Sequence, residues 1–199
     1  MDFYFTINKE GYAEYKDRGS KFLAYAFPIK NKDEFKTILQ GLKKEHPKAV
    51  HHCFAYRIGC DGNDFRVSDD GEPSGTAGKQ ILGQIDSKNL CDILVIVVRY
   101  FGGTLLGVPG LINAYKTATS LVLQCTQVIK KLIEINYNLQ FNYTEMNEVM
   151  RILKQHNCTI HKNENQLFCN IETGIPKNKL TEVLNELGNI KHVEIQQEK

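Results

Sequence analysis

The residues best suited to chemistry fall in three short stretches. Arg99-Tyr100-Phe101 runs straight into Gly102-Gly103, with Gly107 and Gly110 close behind. Arginine can grip a phosphate or carboxylate through two parallel hydrogen bonds. An aromatic ring can stack on an unpaired base, and adjacent glycines let another backbone approach closely. No Lys-Ser/Thr follows, so the run is not a P-loop, and Pro109 removes one backbone donor from it. Upstream, Asp69, Asp70 and Glu72 sit in a dense turn sequence. Such carboxylates can hold a divalent cation or orient a water. The turn chemistry favours instead a loop whose carboxylates pair with Arg99. EF-hand spacing is absent. His51-His52-Cys53 supplies two imidazoles and a thiol, but strand neighbours point to opposite faces. At most His51 and Cys53 share a side, and a third metal ligand would have to come from elsewhere. His52 and Arg57 can line the same face as the glycine turn, a geometry tested by their distance from Arg99. Lys21, with Arg18 and Ser20, can add positive charge beside it. Ser74 lies in no G-x-S-x-G elbow.

These residues need elements to hold them. Ile93 to Val98 is an unbroken, β-branched apolar run, the pattern of a strand covered on both faces. Leu111, Ala114, Tyr115, Ala118, Leu121 and Val122 recur at helical spacing after the glycines. The Arg99–Gly110 stretch is therefore a strand-to-helix junction. Residues 11–15 and 21–29 read as strands. Residues 31–46 read as a helix capped by Asn31, with Glu34 as capping-box partner. Residues 51–58 and 64–67 form a strand pair across Asp61-Gly62, and a short helix carries Ala77, Ile81, Leu82 and Ile85. The pattern changes after Cys125. Residues 133–143 alternate as one long strand, and Thr144 can cap a helix. Short strands follow around Thr159 and over 167–171, hinged at Asn163-Glu164-Asn165. Pro176 suits the first turn of a further helix, Gly188 its end, and Val193 and Ile195 a last strand. The order β-α-β-β-α-β is the ferredoxin-like split βαβ pattern. The predicted domains are residues 1–126 and 127–199.

The chain has 199 residues, a net charge of +2 and six cysteines without a CxxC pair. No strong basic field advertises nucleic acid. The cysteines read as reduced, hence a cytoplasmic protein. The amino-terminal residues do not read as a signal peptide, and no apolar run is long enough to span a bilayer.

Asp69-Asp70-Gly71-Glu72-Pro73-Ser74-Gly75-Thr76-Ala77-Gly78 and Val98-Arg99-Tyr100-Phe101-Gly102-Gly103, with Leu106-Gly107, Gly110-Leu111 and Ala114-Tyr115, resemble the two signature blocks of the IMPACT (YigZ) family. Gly19-Ser20-Lys21-Phe22 and His52-Cys53-Phe54-Ala55-Tyr56-Arg57 fit as well. Val108-Pro109-Gly110 stands where many members carry a more glycine-rich run. The resemblance implies a two-domain α+β protein. Its N-terminal domain would be ribosomal-protein-like, as in domain IV of elongation factor G, and its C-terminal domain ferredoxin-like, as in domain V. Eukaryotic relatives are translation regulators that act by protein binding through an additional N-terminal domain. For bacterial members it suggests translation-linked or nucleic-acid binding and no established reaction.

The expectation is therefore a binding protein for RNA, a ribosome or a translation factor, with no cofactor, no metal and no assigned catalytic residue. Arg99, Tyr100 and the flanking glycines would sit at the centre of the site. A broad basic face would favour this reading. A deep cleft converging on Asp70, Glu72, His52 and Arg99 would favour an enzyme acting on a small phosphorylated or peptide substrate. An exposed apolar patch around Phe101, Leu105 and Leu106 would favour an adaptor that contacts only protein.

Overall fold

The apolar run at the centre of the chain forms strand β6 (Ile93–Tyr100) of a five-stranded antiparallel sheet in the computed structural model, which describes residues 2–165 and 168–198. Before it come β1 (Phe3–Ile7), β2 (Gly11–Asp17), β3 (Ser20–Pro28), α1 (Lys32–Glu45), β4 (His51–Ile58), β5 (Asp64–Ser68) and α2 (Gly78–Ser87). After it come α3 (Gly107–Cys125) and β7 (Val128–Leu132). The sheet order is β2-β3-β6-β4-β5, so β6 is flanked on both sides.

Alternation along β6 divides two cores. Ile93, Val95 and Val97 pack with Phe22, Ala24, Cys53 and Ala55 beneath α2 and α3, where Ile81, Ile85, Tyr115 and Val122 close the layer. Leu94, Ile96 and Val98 face the opposite way, against Phe54, Tyr56 and the α1 residues Phe35 and Leu42. Residue types with no polar atom on either face explain why this strand reads as continuous rather than alternating. Helix α1 starts as expected. Asn31 accepts from Asp33 N at 3.1 Å and Glu34 N at 2.9 Å, and Glu34 Oε2 accepts from Lys30 N at 2.8 Å. β1 and β7 form a separate two-stranded sheet that no local pattern announces. β7 exposes most of its side chains, so its pairing is set by a distant strand.

Two compact units emerge, residues 4–131 and residues 132–199 with 1–3. In the smaller unit the elements are β8 (Glu134–Phe141), α4 (Met146–Gln155), β9 (Thr159–Asn165), β10 (Cys169–Pro176), α5 (Leu180–Gly188) and β11 (Glu194–Gln197). Its sheet order is β11-β8-β10-β9, all antiparallel. Tyr137, Leu139 and Phe141 of β8 meet Val149, Ile152, Leu153, Val183 and Leu187 of the two helices.

Several local expectations change. Tyr143 opens a 3-10 turn and is exposed, instead of ending the strand. Thr144 lies within that turn and bonds Glu145 Oε1, so it does not cap α4. Asn163, Glu164 and Asn165 are not a hinge; they continue β9, paired with β10. Pro176 ends β10, paired with Glu134, and precedes α5 without entering it. Leu167 lies outside the described residues.

Candidate functional site

The carboxyl end of β6 delivers Arg99 to the face covered by α2 and α3. Register places Phe22 of β3 and His51 of β4 directly beside it. Arg99 is buried, and its Nη1 donates to Glu72 Oε1 at 2.6 Å. The same oxygen accepts from the Tyr115 hydroxyl of α3 at 2.8 Å, and His51 Nε2 stands 3.9 Å away. The guanidinium lies 5.5 Å from the Phe22 ring and 5.8 Å from the Phe101 ring. Beneath it, the single S–H of Cys53 has two acceptors in reach, the Tyr115 oxygen at 3.3 Å and Asp69 O at 3.0 Å. Burial pushes the Cys53 thiol and the Tyr115 phenol far up, so both hold their protons at neutral pH. Neither is a poised nucleophile or base.

The acidic loop is spent on its own architecture. Asp69 accepts from the backbone N–H of Gly75, Ala77 and Gly78 at 2.8, 3.0 and 2.8 Å, fixing the loop onto the start of α2. Asp70, at a positive φ of 40°, accepts from His52 N at 2.7 Å through Oδ2, while its backbone oxygen accepts from His51 Nδ1 at 2.8 Å. Glu72 alone turns to Arg99. The three carboxylates diverge and do not converge on a cation.

The expected placement of His52 and Arg57 is corrected by the two-residue period of β4. His52 pairs across from Val98, hence faces α1 and not Arg99; His51 is the histidine at the site. Burial lowers the His52 pKa below its ordinary 6.5, and its Nε2 is buried without a partner. Arg57 shares the face of Arg99 but sits opposite Ile93, at the far end of the strand. There it makes a bidentate pair with Asp86 at 2.5 and 3.1 Å. Tyr100 also points away, to the α1 side, where its hydroxyl meets His46 Nδ1 at 3.0 Å; Lys21 is its register partner. Gly102 presses against Gly19 and Ser20, and its N–H donates to Ser20 Oγ at 3.1 Å. Gly103 and Gly107 take positive φ, at 87° and 70°, which swings the chain from β6 into α3. Gly110 abuts Leu106 within the helix.

Between this turn and the acidic loop lies a cleft of about 520 Å³. Its floor holds Glu72, Arg99 and His51, and its walls include Val50, Pro73, Phe101, Leu105 and Val108. Leu105 is 81% exposed, and Phe101 and Val108 are half-exposed, while Leu106 is buried. The notional enzyme pocket of Asp70, Glu72, His52 and Arg99 is not assembled, because Asp70 and His52 lie outside the cleft lining. Sequence reasoning missed His51, Val50 and Val108 as cleft residues, and the Tyr115 hydroxyl as the buried donor to Glu72. It also missed a cluster in the smaller unit, where His156, Glu182 and Glu186 bring ligand atoms within 4.8 Å of one another. There His156 Nε2 bonds Glu186 Oε1 at 2.9 Å, and Lys179 already holds Glu182.

The Impact N-terminal domain matches residues 18–123, a span that contains every cleft residue. This chain is similar to the IMPACT family member YvyE of Bacillus subtilis (strain 168), 33% identical over 94% of this chain and 87% of the relative. The chain belongs to the IMPACT family. YigZ of Escherichia coli (strain K12), an IMPACT family member, is 31% identical over 89% of this chain and 88% of its own length. A crystal structure described as that of a hypothetical protein superposes with a TM-score of 0.77 at 28% identity, covering 100% of this chain and 98% of that one. In this IMPACT-family chain, both signature blocks thus build one object. The first supplies Glu72 and the loop that aims it, the second supplies Arg99, the turn and Tyr115, and the pairing of Arg99, Glu72 and Tyr115 joins them.

Proposed function

We propose that this IMPACT-family protein is a translation-linked regulator that works by binding, and that the cleft face of residues 4–131 is its contact surface. The observation that carries this reading is the division of labour at the glycine turn. The signature residues Arg99, Glu72 and Tyr115 bond one another in the interior, while the apolar side chains of Phe101, Leu105 and Val108 are left on the rim. A buried network with no deprotonated nucleophile suits a scaffold, and an exposed apolar rim suits recognition. We infer a ribosomal protein or translation factor as partner in preference to RNA, because the arginine that would meet phosphate is already neutralised. On this reading the larger unit corresponds to domain IV of elongation factor G. The smaller unit corresponds to its ferredoxin-like domain V, which would position the first. The protein would act in the cytoplasm; its cysteines are free, and among the described residues no helix is long and apolar enough to cross a membrane.

Co-sedimentation of the purified chain with ribosomes from its own organism, across a salt series, tests this. The expected result is association that falls only modestly with salt, since apolar contacts are little screened. Absence from every ribosomal and factor-bearing fraction, or a steep salt dependence reproduced by RNA alone, would overturn it.

A further inference from the structure

We infer that the cleft accepts an uncharged protein segment, with one apolar side chain seated among Phe101, Leu105 and Val108 and backbone carbonyl oxygens meeting Arg99 and the first turn of α3. The inference rests on the binding reading above and names the chemistry of the ligand at that site.

Charge decides the class. Among the described residues lining the cleft, the only acidic or basic side chains are Glu72 and Arg99, which pair at 2.6 Å, and His51 beside them. A phosphate or carboxylate placed there gains no net cation and brings a second anion close to Glu72, where low dielectric magnifies the repulsion. Nucleic-acid sites work the opposite way, by neutralising phosphates with unpaired lysine and arginine. The floor nevertheless needs acceptors. Arg99 Nε is buried with no partner, and the arginine is one of the residues that line the cleft. At the adjoining end of α3, Leu106 stands at the N-cap and supplies no side-chain acceptor to the first turn. The first N–H groups of a helix have no intrahelical partner, and Gly107 and Val108 both border the cleft. A neutral carbonyl oxygen meets these donors without adding charge.

The walls fix the rest. Val50, Phe101, Leu105 and Val108 are 62%, 51%, 81% and 51% exposed, a large outlay of apolar surface around one opening. A volume near 520 Å³ lies within the range of sites that enclose a small ligand or a side chain with its flanking peptide groups. Apolar walls above paired, neutral polar groups match a peptide carrying a leucine- or phenylalanine-like side chain.

The test uses the full chain, labelled with nitrogen-15 and titrated with N-acetyl-leucinamide, N-acetyl-leucine and uridine monophosphate. The neutral amide should give saturable shifts confined to residues around Phe101, Leu105, Gly107, Val108 and Leu111. A dissociation constant in about the millimolar range is expected for so small a probe. The carboxylate form should bind several-fold more weakly, and the nucleotide should leave these signals unmoved. Leu105→Asp, at an exposed position, should weaken the amide about tenfold or more, while Tyr143→Ser should change nothing. Absence of cleft shifts up to the solubility of the amide overturns the inference, even when ribosome association persists. So does tighter binding of N-acetyl-leucine, or saturable shifts with the nucleotide.

Discussion

Removing either half of the Arg99–Glu72 pair should unfold the larger unit more readily than removing both. Glu72→Leu strands an arginine that is only 6% exposed and takes the acceptor from the Tyr115 hydroxyl. Breaking a buried pair from one side costs about 3–5 kcal/mol, a large share of the ~5–15 kcal/mol that holds a domain together. Arg99→Met leaves the Glu72 carboxylate in the interior with the Tyr115 hydroxyl at 2.8 Å and His51 Nε2 at 3.9 Å, and should cost a similar amount. The double variant removes both charges and keeps the volume apolar. It should recover more than one single's whole loss, above about 3–5 kcal/mol relative to the sum of the singles, so that it costs less than either. Urea unfolding, read on amide signals of Ile93 to Tyr100, measures the cycle, because the two compact units need not unfold together. Constant m-values would license the comparison. Single losses under ~1 kcal/mol that simply add would refute the claim that this pair is the buried keystone of the site.

Other outcomes follow from the same structure. Burial depresses the His52 pKa, so below pH 6.5 the unfolded chain takes up a proton that the folded chain resists. Stability of the larger unit should therefore fall as pH drops from 6.5 toward the lowered value, and His52→Gln should flatten that limb of a urea-midpoint profile. Gly102→Ala should cost about 3 kcal/mol, because its Cβ would meet the Gly19–Ser20 backbone. Gly103→Ala, with open space around it but φ of 87°, should cost only about 1–2 kcal/mol by thermal unfolding. In timed alkylation at neutral pH, exposed Cys125 should react first and buried Cys53 and Cys169 only on unfolding. Cys60, although exposed, should lag because burial of its sulfur pushes the thiol up to about 12. Rapid labelling of Cys53 in the folded chain would contradict the buried network.

Much of the framework was legible because local pattern and tertiary role agree. The apolar run of β6, the Asn31 cap and the alternation of β8 each carry their own signal and keep it in the fold. What escaped was whatever depends on register or on distant partners. Arg99 faces His51 and not His52 because β4 pairs with β6 in one register, which no single strand specifies. Arg57 belongs to the opposite end of that same strand and answers Asp86. Tyr115 carries the right spacing for the core, but its hydroxyl role appears only when Glu72 is brought across from another loop. The sequence offers Arg99 a partner in the acidic turn, but only the fold selects Glu72 from among Asp69, Asp70 and Glu72. The cleft walls gather Val50, Pro73 and the run of Phe101, Leu105 and Val108 from three chain segments, and exposed apolar residues leave no periodic trace.

The central claim, that the cleft face meets a protein of the translation machinery, is tested most directly by a photo-crosslinking amino acid placed at Leu105 in the living cell. The same probe at Tyr143, equally exposed in the smaller unit, serves as reference. The account predicts a discrete crosslink from position 105 to a ribosomal protein or translation factor, absent from position 143 and suppressed by Val108→Asp. Crosslinks to RNA alone, or identical patterns from both positions, would contradict it.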